Sequence, residues 1–170
     1  MRSQYTYCPR CGHALSKAAH GGRERPACPA PGCGFVFWDN PTPVVAAIVE
    51  RNDHVVLVRS LGWPENWFGL VTGFLERGES PEDAALREVK EELGLDGTLR
   101  DLIGVYDFQR MNQIIVAYHI EAHDGEITLD ETELAAHKEV PLAKARPWRA
   151  GTGHALMKFL KARGFSPEYL

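Results

Sequence analysis

The stretch Gly73–Leu95, GFLERGESPEDAALREVKEELGL, constrains the fold more than any other part of the chain. Its start and stop are written in residue types. Ser80 suits an N-cap, Pro81 the first helical position, Asp83 the third place after the cap, and Gly94 a left-handed stop. At about 100° per residue, Ala85, Leu86, Val89 and Leu93 share one apolar arc, which must lie on a core. Glu88, Glu91 and Glu92 occupy the adjacent arc and flank that stripe. Residues three and four apart are neighbours on a helix, and like charges there destabilise it by about 0.2–0.5 kcal/mol per pair. One reading is a solvated face, since Arg87 and Lys90 intersperse positive charge. The other is a divalent cation held among the acids. Mg²⁺ takes octahedral oxygen coordination and commonly bridges one or two carboxylates to substrate phosphates. It would neutralise a diphosphate and lower the pKa of an attacking water.

Around this helix the chain alternates strand and helix signals. VVAAIVE (44–50) and VVLVRS (55–60) read as a hairpin turning at NDH, and GLVTGF as a third short strand. TLRDLIGVYDF and NQIIVAYHIEA are strand-rich, ELAAHKEVPLAKA is mixed and partly helical, and GHALMKFLKARG (153–164) is an amphipathic helix closed by Gly164. Strands then helix, twice over, predict an α+β chain with a mixed-sheet sandwich.

All four cysteines precede residue 34, as CPRC (Cys8, Cys11) and CPAPGC (Cys28, Cys33). Each pair makes a knuckle whose second cysteine is followed by Gly12 or Gly34, and four thiolates satisfy tetrahedral Zn²⁺. Two disulfides are the alternative. The N-terminal MRSQYTYCPRCG lacks the apolar stretch of a signal peptide, and no apolar run approaches a membrane span, so the chain reads as cytoplasmic with reduced thiols. Residues 1–40 form one segment, a structural zinc ribbon, and residues 41–170 the main domain. Phe35, Phe37 and Trp38 are expected to pack the ribbon against that domain. The ribbon segment carries five Arg/Lys against two acids and the remainder fourteen against twenty-one, within a net charge of −4. A chain built to hold nucleic acid is usually more basic, so nucleic acid is a possible but not a favoured partner.

Gly73, Glu79 and REVKEELGL follow the spacing G-x5-E-x7-R-E-U-x-E-E-x-G-U, with Val89 and Leu95 aliphatic. This resembles the Nudix box. The resemblance covers roughly residues 41–165 and implies an α/β/α sandwich around a mixed sheet. It also implies a hydrolase, dependent on Mg²⁺ or Mn²⁺, that splits the pyrophosphate of a nucleoside diphosphate linked to another moiety, of the NADH, FAD or ADP-ribose type. Glu88 and Glu92 resemble the principal metal ligands, Glu91 a further ligand or supporting contact, and the Gly73 carbonyl an additional ligand. Glu79 and Arg87 resemble a bracing ion pair. The general base varies in such enzymes: a box glutamate, or a downstream acid, for which Glu133 in DETE is the best-placed candidate.

A zinc ribbon before such a domain resembles NADH pyrophosphatases and some FAD or ADP-ribose pyrophosphatases. Residues 105–119 lack the SQPW-type motif of the NADH branch, and the second cysteine pair is spaced C-x4-C. Trp63, Trp67, Phe68, Phe108, Arg110 and Met111 flank the box as candidates for stacking on a base, although aromatics more often fill a core. Removal of a nucleotide cap from RNA, a nucleotide- or RNA-binding regulatory module, and a homodimer are the remaining readings.

Overall fold

The structure, a computed structural model, describes residues 5–170. The first four residues lie outside it, and with them the start of the stretch read as lacking a signal peptide and Arg2 of the ribbon's basic count. The chain divides into two compact units between Asn40 and Pro41.

In the first unit, β1 (Ser16–His20) and β2 (Arg23–Ala27) form an antiparallel hairpin with Ser16 opposite Ala27. Gly21 and Gly22 turn it, both at positive φ, as the twist of a two-residue hairpin loop demands. Among its described residues only Cys8 and Ala27 are buried apolar side chains, too small a core to hold without a staple. Aromatic rings also pack within the ribbon itself. Tyr5 meets Phe37 edge-on at 5.2 Å between ring centroids, and Arg25 lies 4.9 Å over the Trp38 ring.

The second unit is organised by β3 (Thr42–Arg51). Its C-terminal end pairs antiparallel with β4 (His54–Ser60), and its N-terminal half with β5 (Val71–Phe74). After α1 (Pro81–Leu93), β6 (Gly97–Phe108) and β7 (Gln113–Ala122) form an antiparallel pair, and β7 runs parallel to β3 from Thr42 to Glu50. β8 (Leu134–Pro141) adds to β4, giving the order β6-β7-β3-β4-β8 with β5 on β3, and α2 (Gly153–Ala162) closes the unit.

Alternation along β3 builds two cores. Val45, Ala47 and Val49 join Val56, Val58 and Val71 beneath Ala85, Val89 and Leu93 of α1. Ala46 and Ile48 join Val55, Leu57 and Ile115 beneath Leu156, Phe159 and Leu160 of α2. A strand covered on both faces reads as an unbroken apolar run, as 44–50 does. Residues 134–144, expected to be partly helical, are instead strand β8 followed by one 3-10 turn, Leu142–Lys144. As an edge strand β8 keeps one face wet, and its charged Lys138 and Glu139 blur the apolar period. Among the described residues no helix is long and apolar enough to cross a membrane.

Candidate metal and active site

The caps set the register of α1. Ser80 Oγ accepts from the Asp83 N–H at 3.1 Å and donates to Asp83 Oδ2 at 2.8 Å. Gly94 stops the helix at φ 70° with its N–H on the Lys90 carbonyl. With Val89 and Leu93 driven into the core, Glu88 and Glu92 turn toward β5, and Glu91 faces water. A Cβ built on Gly73 would fall directly on the Glu88 carboxylate. Only glycine leaves that space, so Gly73 is the floor on which Glu88 rests.

Arg87 is the countercharge. Its Nε and Nη2 grip both oxygens of Glu79 at 3.0 and 2.8 Å, a two-pronged pair that also ties Nη2 to the Phe74 carbonyl. Its Nη1 reaches Glu88 Oε1 and Glu91 Oε2, each at 2.8 Å. Glu79 in turn accepts from the Glu76 N–H at 2.7 Å, and Arg87 with that hydrogen bond holds its carboxyl below the usual range. The bracing pair expected from the sequence is therefore present, and it also reaches two of the three stacked acids.

Glu92 is left without such a partner. It is buried, with Oε2 lacking any hydrogen bond. Burial, then the nearby charges of Glu88 and Glu133, push its carboxyl up to about 8. Burial also raises Glu88, against the pull of Arg87. The loop before β8 is pinned to the end of α1 by Thr128 N–H on the Leu93 carbonyl (2.9 Å) and Asp130 N–H on the Glu92 carbonyl (3.2 Å). This brings Glu133, exposed at the loop's end, within electrostatic reach of Glu92. An orphaned buried carboxylate oxygen beside a second half-buried carboxylate suits a hard cation with oxygen ligands.

The acids are not gathered as tightly as the thiols. Among the described residues, only Cys8, Cys11, Cys28 and Cys33 bring three or more ligand atoms of this kind within 4.8 Å of one another. All four are free. Their closest sulfur pairs, Cys11–Cys28, Cys11–Cys33 and Cys8–Cys33, lie at 3.4, 3.5 and 3.6 Å. These are near the edges of about 3.8 Å of a tetrahedron with ~2.3 Å zinc–sulfur bonds. Gly12 and Gly34 sit at φ 77° and 65°, so each knuckle turns where a side chain would be strained. Burial raises the Cys8 thiol, but the backbone N–H groups of Arg10 and Cys11 and the neighbouring thiols outweigh it and bring Cys8 down to about 7. The cluster fits a zinc ribbon.

Of the flanking aromatics, Trp63, Trp67 and Met111 are exposed (43%, 61% and 57%), whereas Phe68 and Phe108 pack on the α2 core. A buried charge network went unread in the sequence. Glu50 and His119 are both buried; Glu50 pairs with Arg163 just past α2. His119 Nε2 lies 2.8 Å from Glu50 Oε2, out of line for a hydrogen bond, and the His119 ring rests on Phe159. The network edges a cleft of about 900 Å³ at the C-terminal end of β3. Glu50 ending an otherwise apolar strand run was the available signal.

Comparison with known proteins agrees with this architecture. The sequence matches the family model for the NUDIX domain over residues 40–159. It is 29% identical over 163 residues to the NAD-capped RNA hydrolase NudC of Stutzerimonas stutzeri, covering 95% of this chain and 58% of that protein. It is 30% identical over 128 residues to NudC of Pseudomonas aeruginosa strain LESB58, covering 75% and 45%. The chain thus spans about half the length of the curated relatives it matches. Among solved structures, a NUDIX hydrolase from Nitrosomonas europaea superposes with TM-score 0.77 at 21% identity, covering 98% of this chain and 97% of that one. An ADP-ribose pyrophosphatase from Streptococcus suis superposes with TM-score 0.61 at 21% identity, covering 77% and 100%. With most of its length matched and the box residues assembled on α1 and β5, the chain belongs to the NUDIX domain family.

Proposed function

We propose that this chain hydrolyses the pyrophosphate of a nucleoside diphosphate linked to a second moiety, using Mg²⁺ or Mn²⁺ at the acid helix and Zn²⁺ as a staple in the ribbon. The observation that carries the reading is Glu92 Oε2, buried and unpartnered beside a Glu88 carboxylate seated on Gly73. Glu88 and Glu92 would hold the cation, with Glu91 and the Gly73 carbonyl as further donors. The bound cation would neutralise the diphosphate and acidify an attacking water. Glu133 is the proposed base: it is exposed, on a loop pinned to α1, and it would take a proton from water as the water oxygen bonds to phosphorus. The bridging oxygen then leaves with the other phosphate, giving a nucleoside monophosphate and a phosphorylated partner. Arg87 keeps Glu88 and Glu79 in place.

The substrate class rests on the ribbon-plus-box resemblance and on the names borne by relatives. A second reading, removal of a nicotinamide-containing cap from RNA, is favoured by the relatives named NAD-capped RNA hydrolase. Incubation with NADH, FAD, ADP-ribose, dinucleoside polyphosphates and NAD-capped RNA, with mass identification of products, separates the two. Turnover of at least one compound is expected, dependent on added Mg²⁺ or Mn²⁺. Failure on the whole panel with both ions refutes the hydrolytic assignment.

A further inference from the structure

On the opposite face of the sheet from the acids, the charge changes sign. Lys138 stands opposite Leu57 in the β4–β8 register, and Leu57 belongs to the core under α2. There Lys138, Lys144 and Arg146 line, with Phe68, Trp148 and the chain-terminal Leu170, a pocket of about 180 Å³ whose lining side chains include no acid. Lys138 Nζ lies 4.1 Å from the centre of the Phe68 ring. Among the described residues none of the three cations makes an ion pair.

The rim is held in place. Arg146 Nη2 donates to the Tyr169 carbonyl at 3.1 Å. A Cβ on Gly153, the first residue of α2, would strike the Trp148 carbonyl, so Trp148 is braced against the helix start. Lys138, Lys144 and Arg146, three like charges lining one small pocket and without an ion-pair partner within 4.0 Å among the described residues, repel one another. An anion among them relieves that repulsion. The rings supply a flat apolar surface on which a base stacks, an arrangement worth a factor of roughly five or more per base in single-strand binding.

We propose that this pocket binds a phosphorylated nucleoside, its base against Phe68 and Trp148 and its phosphate among Lys138, Lys144 and Arg146, at a site separate from the acid helix. The ligand is either a free mononucleotide or one unit of a single strand, and both present the same chemistry. The assignment does not rest on hydrolysis, because its readout is binding without added divalent cation.

The test is fluorescence anisotropy on the full chain, zinc retained and no magnesium added, with a fluorescent AMP analogue and a labelled ten-nucleotide oligoadenylate. Saturable binding is expected, weakened roughly fivefold or more by Lys144→Ala and further by Lys144→Glu, both exposed changes that preserve the fold. Lys138→Ala should act likewise, and Glu88→Gln, whatever it does to hydrolysis, should leave this metal-free binding as it is. An oligonucleotide that binds more tightly than AMP, with log affinity falling by about 0.7 per phosphate contact against log salt, identifies a strand. Equal affinity for the two identifies a free nucleotide. The proposal is overturned if neither probe saturates, if the lysine variants bind as the wild type does, if Glu88→Gln abolishes binding, or if inorganic phosphate competes as well as AMP.

Discussion

Replacing Glu92 by glutamine removes one titratable carboxylate from the core edge while keeping its shape. The wild-type carboxyl rises from an ordinary 4.5 to about 8 because it is buried beside Glu88 and Glu133. A carboxyl raised in this way binds its proton more tightly folded than unfolded. Its stabilisation is complete below about pH 4.5 and is lost as pH climbs through 8. At about 1.36 kcal/mol per unit the whole rise is worth close to 5 kcal/mol, and relaxation around the ion trims this to about 2–5 kcal/mol. Glu92→Gln abolishes the titration. In urea unfolding followed by circular dichroism without added divalent cation, wild type and variant should have similar midpoints at pH 5. At pH 9 the variant should be the more stable. Adding Mg²⁺ or Mn²⁺ should restore the wild type at pH 9 and leave the variant unmoved, while the variant loses hydrolytic activity. Parallel stability curves at every pH would refute the claim that this carboxylate is buried without a cation beside it.

Gly73→Ala puts a methyl group where the Glu88 carboxylate rests; Mn²⁺ affinity measured calorimetrically should fall at least about tenfold, and unchanged affinity would remove Glu88 from the ligand set. Extraction of zinc with a chelator should erase the β1–β2 hairpin signal in far-UV circular dichroism and expose four thiols to a colorimetric reagent; a hairpin that survives metal-free would mean that its own packing suffices. Arg163→Ala strips Glu50 of its cation and should destabilise the main unit by about 1–3 kcal/mol in urea titration. Glu50→Gln in the same background should recover part of that loss, and no recovery would show that Arg163 acts by packing alone.

Much of the site is legible in the sequence. The cap residues Ser80 and Gly94, the arc of Val89 and Leu93, and the spacing of Glu79 from Arg87 are local, and local chemistry determines them. What could not be read depends on residues far apart in sequence. The three stacked glutamates look alike on a helical wheel, yet Glu92 is buried, Glu88 lies on Gly73 of a different strand, and Glu91 is exposed and held by Arg87. The meeting of Glu50, His119 and Arg163 spans more than a hundred residues. β8 carries its charges on a strand edge, so neither apolar period emerges from its residues.

β3 is asked to pair with strands from both near and far. Its antiparallel neighbours β4 and β5 arrive within the next few dozen residues, whereas its parallel partner β7 joins only after a detour of roughly seventy. During synthesis, then, the acid helix can settle on a three-stranded nursery before the rest of the sheet has emerged. Glu88 would meet Gly73 early, and the late-arriving half of the chain, from β6 through α2, would finish the enclosure around a pocket whose floor is already laid.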